Sequence, residues 1–122
     1  MRILFTCFFL VAAPGLSVAQ PLSQSMAQCS GLFHGVGTMM SDPARAEKLD
    51  RAGMIWRGAA IKQAEAEGRT DAASWVAVHQ RESFDDWRGR GKMAAFSQDF
   101  RDWASYCRKL GKAKGIKTDF GS

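Results

Sequence analysis

Cys29 and Cys107 each stand on an apolar stripe, one in the first helical segment of the chain and one in the last. Leu22, Met26, Cys29, Phe33, Val36 and Met40 are spaced 4-3-4-3-4, and Met93, Phe96, Phe100, Trp103, Cys107 and Leu110 are spaced 3-4-3-4-3. Residues three and four apart share one face of a helix, so each series predicts an amphipathic helix with its cysteine on the buried seam. Two such seams facing each other would bring the sulfurs together. That pairing requires the first and last helices to be neighbours, as in an up-down-up-down bundle.

Whether the cysteines are bonded depends on where the chain resides. Arg2 precedes an uncharged apolar run from Ile3 to Ala13, Pro14 and Gly15 break it, and Ser17-Val18-Ala19 ends it with small residues. This order of positive charge, apolar run and small residues is that of a cleavable secretory signal peptide, residues 1–19. A membrane anchor needs roughly 20 apolar residues, and this run is far shorter before Pro14. Cys7 lies inside the run rather than at its end, which argues against a lipid-modified cysteine at the cleavage point. The expected location is the periplasm or the extracellular medium. In such an oxidising compartment the one remaining pair, Cys29 and Cys107, has one connectivity, and a disulfide is the simplest reading. Two buried free thiols are the alternative.

Between the two cysteine-bearing segments the residue types favour helix. After residue 19 there are three Val, three Ile and three Thr against fifteen Ala, a poor supply of strand formers. Asp42-Pro43 is a helix start, an acid that caps and a proline whose missing N–H costs nothing there. The helix it opens carries Leu49, Trp56 and Ala60 on one face, has Gly53 where a neighbour can come close, and ends at Gly68. Thr70-Asp71 opens the next, with Trp75, Val76, His79 and Trp87, and Gly89 and Gly91 end it. Trp75-Val76-Ala77-Val78 could pass for a short strand, but no second strand is in sight to pair with it. The expected fold is therefore all-α, a small bundle of about four helices clamped by one disulfide, over residues 20–110. Residues 111–122, with Lys112, Lys114 and Lys117 among glycines, are expected to form a flexible basic tail.

Loss of the leader lowers the formal net charge from +5 to +4 by removing Arg2. The charges are mixed in sign along the chain, so no nucleic-acid partner is expected. No phosphate-binding glycine loop with its lysine, no haem-attachment motif and no nucleophile with a companion base occurs, so no cofactor is expected and catalysis has little support. A small hydrolase would have to rely on Glu82 with Asp85 or Asp86 as a carboxylate pair.

Three constellations remain. His79, Glu82 and Asp86 share one helical face, and an imidazole with two carboxylates is a metal-ligand set. Arg81, Asp85 and Arg88 crowd the same turns, and a solvated charge lattice is the preferred reading. His34 with Met39 and Met40 would suit a soft metal, although methionine more commonly fills cores. The segment from Trp87 through Arg88 and Arg90 to Lys92 interleaves an aromatic with cations around two glycines. It reads as a turn between helices, and its charge makes those four residues the preferred contact site for another protein.

The stretch Cys29-Ser30-Gly31-Leu32-Phe33-His34-Gly35-Val36 is similar to the Cys-x-Gly-aromatic-aliphatic-x-Gly-Val segment of Tai-type immunity proteins, small exported helical proteins that neutralise periplasmic toxins attacking the cell wall. The likeness covers eight residues, and Leu32 stands where that family favours an aromatic. It implies an exported inhibitor of another protein. Read physically, Gly31 and Gly35 let another helix come close beside the disulfide. The functional expectation is a non-enzymatic exported protein that binds or inhibits another protein, with a metal-binding or metal-sensing protein as the alternative. N-terminal sequencing of the exported protein is expected to start near Gln20, and a retained Met1 would refute the leader.

Overall fold

The computed structural model describes residues 19–118. They form four α-helices: α1 (Leu22–Gly37), α2 (Pro43–Ala66), α3 (Ala72–Gly89) and α4 (Gln98–Lys114). One short 3-10 turn, Lys92–Phe96, lies between α3 and α4. Trp75 to Val78 are helical, and the described residues contain no strand. No described helix is long and apolar enough to cross a membrane. Apart from Ala19, the expected leader lies outside the described residues, as do residues 119–122 of the expected tail.

The helix starts follow local chemistry. The Asp42 carboxylate accepts the Ala44 N–H at 3.2 Å, with Pro43 as the first residue of α2. Ser97 Oγ accepts the Phe100 N–H at 3.1 Å and so sets the start of α4. Each cap satisfies an amide that has no partner within its helix. Asp71 precedes α3 without a side-chain cap. At the far end of α2, Gly68 has a positive φ, and Arg69 N–H bonds back to the Ala64 carbonyl at 3.1 Å.

α1 differs from its expected form. Instead of burying one stripe it is wrapped on nearly every side, with twelve of its sixteen residues buried. It packs chiefly against α2 and α3 and only lightly against α4. Small residues make this feasible. A Cβ on Gly31 would lie 2.4 Å from the Gln80 carbonyl oxygen of α3, and one on Gly53 of α2 would lie 2.4 Å from the His34 ring. Such approaches admit nothing larger than glycine.

Burying α1 all round also buries its serines, and each has a partner. Ser30 Oγ donates to the Gly53 carbonyl at 2.7 Å, and Ser25 Oγ accepts from Gln20 at 2.9 Å. Ser23 offers both its hydroxyl and its N–H to Glu67, which Gln63 also bonds at 3.0 Å. Burial alone would raise the Glu67 pKa, but these hydrogen bonds outweigh it and hold the carboxyl below its ordinary value. Together they fasten the start of α1 to the end of α2. Across the other flank, Ser83 of α3 donates to the Gln28 carbonyl at 2.9 Å.

The largest fully buried side chains of the core are Trp56, Leu32, Val36 and Val76, and the same cluster holds the Cys29–Cys107 disulfide, whose Cα atoms are 5.8 Å apart. The fold is thus an all-α bundle clamped by one disulfide. The seam of the last helix is shorter than its spacing predicts. Phe100, Trp103 and Leu110 pack on the core, whereas Met93 and Phe96 belong to the 3-10 turn and are 73% and 70% exposed. Gly91, at φ 81°, redirects the chain before α4 begins.

The C-terminal boundary also differs. α4 continues through a buried Gly111 to Lys114, so residues 111–114 are helix rather than tail. It closes at Gly115, φ 68°, with Gly115 N–H bonded to Lys112 O at 3.4 Å and Ile116 N–H to Gly111 O at 2.8 Å. This paired closure folds Ile116 back onto the core.

The disulfide spans 78 residues, and a cross-link over a loop of that order stabilises by up to about 4 kcal/mol in the chain-entropy account. Replacing Cys29 and Cys107 together with Ala is expected to lower the denaturation free energy by a large part of that amount. Chemical denaturation of the two proteins measures it, and equal midpoints would refute the clamp.

Candidate functional site

The segment after α3 has two kinds of residue, those that hold it in place and those that face solvent. Trp87 is 3% exposed, with its ring edge-on to Phe100 of α4 at 5.9 Å between centroids. The Arg90 guanidinium lies 4.1 Å from the Trp87 ring centre. It also bonds Asp86 on α3 at 2.8 Å and Asp99 on α4. The Asp99 hydrogen bond is the largest influence on Arg90 and, with Asp86, raises its pKa despite partial burial. Arg90 is therefore a strut between two helices. Further along, Arg101 donates to the Phe96 carbonyl at 3.0 Å and to Gln98 Oε1 at 2.9 Å. Cations pin the segment at both ends.

Of the four contact residues expected from sequence, Trp87 and Arg90 thus serve the fold, while Arg88 and Lys92 remain exposed. Arg88 lies 5.5 Å from the centre of the Phe84 ring. The residues that sequence reasoning missed are Met93 and Phe96. Side chains three apart on a 3-10 turn eclipse one another, so these two stand side by side in solvent. Met93 and Phe96 are thus exposed on the segment that also carries Lys92, with Arg88 exposed near the end of α3.

The other constellations are occupied differently. His79 Nδ1 lies 3.7 Å from Glu82, Trp75 packs against its ring at 4.4 Å, and Asp86 is taken by Arg90. Among the described residues, no three acidic, histidine or cysteine side chains are grouped so that they could hold a metal ion. His79, Glu82 and Asp86 instead line a cavity of about 220 Å³ with Gln28, Arg90 and Trp103, where the buried His79 Nδ1 has no hydrogen-bond partner. His34 Nδ1 meets Asp50 at 2.9 Å, joining α1 to α2, and Met39 and Met40 pack on the core. No known family model, curated protein or solved structure matches the chain.

Replacing Arg90 with Gln leaves Asp86 and Asp99 near each other with no cation between them. Each ion pair is partly exposed and contributes about 0.2–1 kcal/mol. The variant is expected to melt a few degrees lower, with the difference growing at low salt. An unchanged melting temperature at all salt concentrations would refute the strut.

Proposed function

We propose that this chain is an exported, non-enzymatic protein that binds an acidic surface of another protein through Met93 and Phe96, flanked by Arg88 and Lys92. The observation that carries the reading is the exposure of both large apolar side chains, 73% and 70%, on a segment whose ends are fixed. Large apolar side chains held out into water favour a protein contact. Because the backbone is already pinned, little conformational freedom is lost on binding, and more of the contact energy appears as affinity.

The two kinds of residue act at different stages. Arg88 and Lys92 attract an acidic surface during encounter, an effect that fades as salt shortens the screening length to about 8 Å at physiological strength. Met93 and Phe96 then enter partner pockets and slow dissociation. The Cys29–Cys107 disulfide accords with an oxidising location.

The test uses the mature protein as bait in the exported fraction, followed by kinetics with the captured protein. Phe96→Ser is expected to raise the dissociation rate at least tenfold, the effect of losing an anchoring aromatic. Arg88→Ser with Lys92→Ser is expected to slow association at low salt and leave both dissociation and melting temperature nearly unchanged. Wild-type rates in both variants would place the interface elsewhere.

A further inference from the structure

A second surface, made of different residues, runs along the outer side of α2. Met54 is 63% exposed and Ile55 36%, although Leu49 and Trp56 of the same helix are buried. With Ala59 they border an open trough of about 570 Å³ whose other bank is formed by Lys114, Ile116 and Lys117. Lys62 stands on the same trough, about two turns along α2 from Met54. Gly58 lies between those two, and a Cβ there would meet nothing within 4 Å. The strip is therefore open to solvent rather than packed on a neighbour.

The charge beside it has one sign. From Trp103 to Thr118 the chain has five cations, Arg108, Lys109, Lys112, Lys114 and Lys117, and no carboxylate. Among the described residues no carboxylate pairs with any of them, nor with Lys62. Cations in the last turn suit the negative end of a helix, which accounts for Lys112 and Lys114. It does not account for Lys62 on another helix, or for the exposure of Met54 and Ile55. The acids one and two turns before Met54 are engaged, Asp50 with His34 and Glu47 with Arg51. Glu65, a turn beyond Lys62, is outside the lining of the trough.

Lys62, Lys114 and Lys117 are all exposed, so their ammonium groups have no fixed position. Charges held so loosely answer to the density of an anionic surface rather than to the geometry of one acceptor. Met54 adds an unbranched, flexible arm that packs into irregular apolar surroundings. We propose that this face binds the surface of an anionic bilayer, with Met54 and Ile55 between the headgroups and Lys62, Lys114 and Lys117 against the lipid phosphates. Each cation near such a surface strengthens partitioning roughly fivefold. The apolar pair adds a part that salt does not screen.

Sedimentation of the exported protein with vesicles of phosphatidylglycerol and phosphatidylcholine in equal parts tests the face. Binding is expected at physiological salt, and at least tenfold weaker binding to phosphatidylcholine alone. Lys62→Glu, Lys114→Glu and Lys117→Glu together should weaken it at least tenfold, with the helical circular dichroism retained. If that variant does not fold, Lys117→Glu alone, beyond the end of α4, is expected to weaken binding severalfold. Met54→Ser with Ile55→Ser should also weaken it severalfold and abolish whatever binding persists at high salt. No binding to either vesicle, or equal binding to both, would overturn the proposal. So would wild-type binding in the folded charge-reversed protein or in the serine variant. Tighter binding to poly-glutamate than to the vesicles would mark an acidic protein as the occupant and overturn it as well.

Discussion

At Gly31 the backbone of α3 lies so near α1 that the first carbon of any side chain would sit 2.4 Å from the Gln80 carbonyl oxygen. Contact at this range brings two helical backbones together with almost nothing between them. It also brings Ser83 within reach of the Gln28 carbonyl. On the opposite flank, Gly53 admits the His34 ring, and Ser30 bonds the Gly53 carbonyl. α1 becomes the axis of the bundle because its small residues, on more than one side, let two neighbours close in. The large core side chains, Leu32, Val36, Trp56 and Val76, then fill the spaces left between backbones already close together.

α4 is attached by other means. It touches α1 lightly, and its fastenings are the disulfide at Cys107, the Trp87–Phe100 contact and Arg90 reaching from α3 to Asp99. A covalent bond does here what close packing does for α2 and α3. The exposed side chains of Met93 and Phe96 precede α4. Where helices pack backbone to backbone, little surface is left over. Where one is held by a few struts, side chains and grooves remain open.

Much of the architecture was legible in the residues, and the exceptions have physical causes. Asp42-Pro43, Gly68 and the Gly89–Gly91 pair mark helix ends through local chemistry, which needs no knowledge of the fold. The cysteine pairing was legible because two sulfurs on apolar seams after a leader leave few alternatives. All-round burial of α1 was not, since periodicity detects apolar stripes, and serine and glycine enter a core only when neighbours satisfy or require them. Met93 and Phe96 kept the spacing of the seam across a break in the helix. Ser97, three residues before Phe100, was the signal that a new helix starts there. The end of α4 lies at Gly115 rather than Gly111, and Gly115 followed by Ile116 is the pattern of a glycine closure. Within the site, Asp86 and Arg90 are four apart and readable as a pair, whereas Asp99 reaches Arg90 only through the fold. That second bond is what turns Arg90 from a contact residue into a strut.

The crowding around α1 also bears on how such a chain can diverge. At Gly31 and Gly53 any replacement must displace a carbonyl or an imidazole, so inherited variation there is nearly closed. The side chains of Met93 and Phe96 stand mostly in solvent, and exchanging them leaves the packed interior as it was. Substitutions at that outward couple leave the interior contacts of Gly31 and Gly53 untouched. The outward surface and the packed interior are thereby open to change in separate stretches of the same short chain.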